Sequence, residues 1–72
     1  MTVTATMFEV EDVRGYGFAV VERLREALER HAPLQPDPRH PHLFFLETAE
    51  EGFYLAPLPT SKILLLAHWR NA

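Results

Sequence analysis

Three histidines, His31, His40 and His42, fall inside the twelve-residue stretch HAPLQPDPRHPH together with four prolines. Imidazole nitrogens, with Asp37 as a possible carboxylate donor, are chemically able to hold zinc, copper or nickel. His40 and His42 stand two apart, which on an extended chain puts both rings on one side. His31 has a separate role available at the end of the helix that precedes the prolines, where a cation complements the helix dipole. That leaves two histidines, too few to close a site. The stretch is therefore read as a stiff connector, with no metal expected.

A second candidate is the turn Arg14-Gly15-Tyr16-Gly17, ahead of a helical stretch. Backbone N–H groups at a glycine turn entering a helix can hold a phosphate or other anion, and Arg14 would add positive charge. The third glycine of a dinucleotide fingerprint is missing, since Val20 occupies its place, and no Lys-Ser/Thr pair follows as in a P-loop. The plain alternative is that both glycines only let the chain turn. Ligand binding at Arg14, Gly15, Tyr16 and Gly17 stands as the runner-up functional reading.

Carboxylate catalysis would draw on Glu47, Glu50 and Glu51. The last two are expected in a hairpin tip, where solvated acids keep a turn soluble and no apolar pocket raises a pKa. Ser61 and His68 cannot pair as nucleophile and base, because seven residues of strand at about 3.3 Å each separate them by roughly 20 Å. The expectation is a protein that is not an enzyme and carries no cofactor.

These residues must be positioned by a very small chain. Seventy-two residues make one domain, and a chain this short has a marginal core of its own. The absence of cysteine excludes disulfides and thiolate metal sites. A net charge of −3 with only seven basic residues argues against nucleic-acid and anionic-membrane partners, which need clustered Lys and Arg. The longest apolar run, 63–67, is a strand's length and far below the ~20 residues of a membrane helix. Neither a basic nor an apolar leader region is present at the N-terminus, so a cytoplasmic protein is expected. One lysine and almost no Asn or Gln suit a bacterial thermophile.

Periodicity then supplies the elements. Residues 3–10 are rich in β-formers and are expected as a strand, broken by the two glycines that follow. From Phe18 to about His31 the period becomes helical, with Phe18, Val21, Leu24 and Leu28 and also Val20, Ala27 and His31 on one broad apolar face. Pro33 stops this helix. Three strands follow at 42–48, 53–57 and 62–69, the first two joined by Ala49-Glu50-Glu51-Gly52 with Gly52 supplying a positive φ. Pro57 and Pro59 require the second of them to end there or lie at an edge.

The predicted fold class is α+β: a single domain of order β-α-β-β-β, with one helix on one face of a mainly antiparallel sheet. The last three strands are apolar on both faces, and one helix covers only one of them. The uncovered face is expected to form a homodimer or higher oligomer, with Phe44, Leu46, Leu64 and Leu66 at the interface. The leading functional expectation is a non-catalytic oligomeric protein that acts through protein–protein contacts, as a regulatory or accessory subunit.

Overall fold

The computed structural model describes residues 9–71. Its elements are β1 (Glu9–Asp12), α1 (Phe18–Glu29), β2 (Gln35–Asp37), β3 (His40–Glu47), β4 (Glu51–Pro57) and β5 (Lys62–Arg70). All five strands form one sheet in the order β1-β5-β4-β3-β2; β1 runs parallel to β5, and every other pair is antiparallel. The expected α+β class and element order are both present. Most of the strand expected at 3–10 lies outside the described residues; β1 takes up its end and runs on to Asp12.

The helix starts where the period changes and stops in a Schellman closure. The N–H of Ala32 donates to the carbonyl of Ala27, and that of His31 to Leu28, each at 3.0 Å. This places His31 at the left-handed position after the helix, with φ of 62°. A residue with a β-carbon is there in the site that glycine usually fills. His31 therefore terminates the helix through its backbone, and Pro33 follows a stop already made.

Leu24, Ala27 and Leu28 of α1 pack against Leu46 of β3, Phe53 and Leu55 of β4, and Ile63 and Leu65 of β5. The spacing i, i+3, i+4 puts the three helix side chains on one stripe. Burying each large apolar side chain contributes about 1.5–3 kcal/mol. Phe18 shares the predicted stripe but is 78% exposed. Side chains on a helix lean toward its N-terminus, so from the first turn Phe18 points beyond the sheet instead of onto it.

The proline connector contains a strand that periodicity did not announce. Residues Gln35–Asp37 pair antiparallel with β3 at the sheet's edge, with Pro36 opposite Phe44. Edge strands tolerate proline because one side of the strand needs no ladder hydrogen bonds. Pro57 ends β4, an interior strand, as its missing N–H requires.

The β3–β4 hairpin is tighter than expected, and threonine organises it. Thr48 N donates to the Glu51 carbonyl at 2.8 Å, while its Oγ accepts the N–H groups of Glu50 and Glu51 at 3.3 and 3.2 Å. Gly52 accordingly lies within β4, and only Gly15 and Gly17 among the described glycines have positive φ. The need for glycine at 52 comes from above: a Cβ there would sit 2.2 Å from the Trp69 indole.

One irregularity decides how β5 is used. Tyr54 stands opposite Ala67 but Leu55 stands opposite Leu65, so Leu66 is an extra residue, a β-bulge. Before the bulge, Ile63 and Leu65 face the helix. After it the parity inverts, and His68, paired with Phe53, faces the helix too. Uninterrupted alternation would have put His68 on the opposite side.

Candidate functional site

Three charged or polar side chains from three elements meet under the helix. Glu51, at the start of β4, is 7% exposed. Arg23 grips it in bidentate fashion, with Nε 2.8 Å from Oε2 and Nη2 3.1 Å from Oε1. His68 Nε2 lies 2.8 Å from Oε1. An ionised carboxylate only accepts hydrogen bonds, so His68 Nε2 carries the proton in this contact.

The surroundings explain why the acid is held ionised. The Arg23 hydrogen bonds pull the Glu51 carboxyl below its usual range; burial opposes this, and the His68 bond assists. Arg23 is raised in turn by its bond to Glu51. The His68 ring is packed edge-on by Tyr16 at a centroid distance of 5.6 Å and tilted against Phe53 at 5.3 Å. Glu51 is thus no solvated hairpin acid. The bulge at Leu66 and the position of Arg23 one residue before Leu24 in α1 bring its two partners to it. Both carboxylate oxygens are committed, and the cluster ties α1, β4 and β5 together.

Beside it lies an open cleft of ≈ 190 Å³ bordered by Arg23, Glu26, Ala27, Arg30, Thr48, Glu50 and Glu51. Pockets that enclose small molecules run to about 300–1,000 Å³ and are mainly apolar. This one is smaller and walled largely by opposed charges.

The Arg14–Gly17 turn is already occupied from within. The Asp12 carboxylate accepts the N–H of Tyr16 at 2.8 Å and that of Gly17 at 2.7 Å. These bonds pull the Asp12 carboxyl below its usual range, led by the one from Gly17. Asp12 fills the place an external phosphate would take, and its charge repels one. It also fixes Tyr16 against His68.

The histidines of the proline stretch separate as the helix end requires. His31 sits after α1, while His40 and His42 belong to β3 and are exposed. Among the described residues, no group of three or more His, Asp or Glu side chains is placed to hold a metal ion. Asp37 instead accepts the Arg39 N–H at 2.9 Å and the Tyr54 hydroxyl, which together lower its pKa, the Tyr54 bond most.

The four residues expected at an interface do not share a surface. Leu46 is fully buried against the helix, and Phe44 lies on that same side through its pairing with Leu55. Leu64 faces the other way with Ala56, and Leu66 is the bulge residue. The apolar side chains that the register turns away from the helix include Phe45, Tyr54, Ala56, Leu64, Ala67 and Trp69. None of them belongs to the helix-side core or packs against it.

No family model matches this chain, and comparison with characterised proteins and with solved structures yields no significant match either. The functional reading rests on the geometry alone. Among the described residues, no helix is long and apolar enough to cross a membrane.

Proposed function

We propose that this chain is a non-catalytic protein-interaction module of the cytoplasm, acting through the sheet face turned away from α1. The observation that carries the reading is the contiguous set Phe45, Tyr54, Ala56, Leu64, Ala67 and Trp69, which no described element covers. Soluble monomers rarely leave contiguous apolar surface of more than a few hundred Å² open to water. Edge-to-edge strand addition is the less favourable route. β1 offers Glu9, Glu11 and Asp12 at one edge, and β2 is three residues long with a central proline at the other. Charge, brevity and proline all blunt sheet edges.

Self-association, the expectation from strands apolar on both faces, belongs to the same surface and is one form the proposal takes. Hydroxyl-radical labelling tests the reading. Phe45, Tyr54, Leu64 and Trp69 should be protected in native cell extract relative to dilute purified protein, while Leu58 and His42 label equally in both. Equal labelling of the face in the two preparations would remove the proposal.

A further inference from the structure

The face has a charge pattern as well as an apolar centre. Glu9 and Glu11 of β1 lie on it, because their partners Lys62 and Leu64 do. Glu47 lies on it at the far end, opposite Gly52 and next to the Trp69 indole that covers that glycine. Glu9, Glu11 and Glu47 are all exposed. Among the described residues this register places one cation on the face, Lys62, which pairs with Glu11 at 3.3 Å, while at the β2 edge Arg39 is offset by Asp37 beside Tyr54. The apolar centre is therefore rimmed by carboxylates.

That rim discriminates between occupants. An isologous pairing places the same patch on both sides. Two copies face to face would bring an acidic rim against an acidic rim, and like charges juxtaposed in an interface are costly. An anionic lipid surface or a nucleic acid meets the same repulsion. A helix across this face would complete a helix–sheet–helix arrangement over strands that are apolar on both sides. Five strands about 4.8 Å apart make a face roughly 20 Å wide, which a helix of about 13 residues spans and one of about 18 crosses with a turn to spare.

We infer that the occupant of this face is a basic amphipathic helix of another protein, its apolar stripe on Phe45, Tyr54, Leu64 and Trp69 and its Lys or Arg side chains meeting Glu9, Glu11 and Glu47. This rests on the interaction reading above and names the chemistry of the partner. The mode is that of a helix laid on an apolar surface, with the charged rim setting orientation and encounter rate.

Trp69 is the only tryptophan, so its emission reports on this face directly. The probes are an amphipathic peptide of leucine and lysine, about 18 residues long, and its leucine–glutamate counterpart of equal apolar content. The lysine peptide should shift Trp69 emission and bind at least about 10-fold more tightly, an advantage that shrinks at high salt. Glu9→Gln/Glu11→Gln/Glu47→Gln should weaken it by about five-fold or more, while Glu26→Gln/Glu29→Gln/Glu50→Gln, which removes the same charge elsewhere, changes it less than about two-fold. Equal affinity for the two peptides, or equal loss in the two triple variants, overturns the inference. A stable dimer by light scattering with Trp69 protected overturns it too, yet leaves the face as an interaction surface. Failure of both peptides to perturb Trp69, in a monomer whose face labels equally in extract and in buffer, sinks the inference and the proposed function together.

Discussion

Glu51 Oε1 and His68 Nε2 stand 2.8 Å apart although seventeen residues separate them in sequence, and one extra residue in β5 makes the contact possible. The same carboxylate holds Arg23 of α1 through its other oxygen at 2.8 Å. α1 is thereby tied to the sheet by charge at Arg23, midway along it, and by Leu24, Ala27 and Leu28 on its stripe.

Replacing Glu51 should cost more than replacing either partner. Glu51→Ala leaves the His68 Nε2–H, on a side chain 10% exposed, without an acceptor. A buried donor left unsatisfied costs about 1–3 kcal/mol. Arg23→Leu should lower stability less, since His68 still donates to the Glu51 carboxylate and the pair that is lost involves a side chain 41% exposed, where water screens it. Urea denaturation of both variants checks the order, and an equal loss would show that the cluster is a surface pair in effect.

Acid stability follows from the same site. A carboxylate whose folded pKa lies below its unfolded value stabilises the fold above the unfolded value and loses that contribution as pH falls through the folded one. For Glu51 the loss begins near its ordinary value of 4.5 and deepens below it. Asp12 and Asp37 add to it from about 3.8 downward. In Arg23→Leu the acid limb of a stability–pH curve should flatten near its upper end. At the alkaline end Tyr54, raised chiefly by its bond to Asp37, stabilises below its ordinary value of 10.0, and that contribution is lost as pH rises beyond it.

His31→Gly should raise stability. The left-handed conformation at φ of 62° crowds a β-carbon, and glycine adopts it freely. The expected gain is about 0.5–1 kcal/mol after glycine's larger unfolded-state entropy is subtracted. A thermal midpoint that falls instead would mean the imidazole contributes a favourable contact at the helix end.

Gly52→Ala should displace the Trp69 ring. A methyl group 2.2 Å from the indole carbons forces the ring away from the strand, with a stability loss of about 1–3 kcal/mol. Trp69 emission should move to the red as the ring enters water. In a Trp69→Leu background the same substitution should cost less, and a loss unchanged by that background would place the strain in the backbone.

Much of this architecture was legible in the chain. The 3.6-residue spacing of Leu24, Ala27 and Leu28 located the helix, and the apolar runs located the last three strands. Gly15 and Gly17 marked the turn between β1 and α1, and Pro57 marked the end of β4. Local pattern suffices there because each feature depends on neighbours within a turn or a strand. The candidate site was not legible, because alternation assigns faces only while the ladder is regular and the extra residue Leu66 reverses every assignment after it. Glu51 looked like a hairpin acid because its partner Arg23 lies twenty-eight residues away on another element. Gly52 looked like a turn residue because the indole that excludes a side chain there arrives from β5. Composition and periodicity by themselves determined a small α+β domain with one apolar sheet face to spare. Only the tertiary structure decided which residues form that face, since burial and charge pairing depend on contacts between strands that the sequence separates.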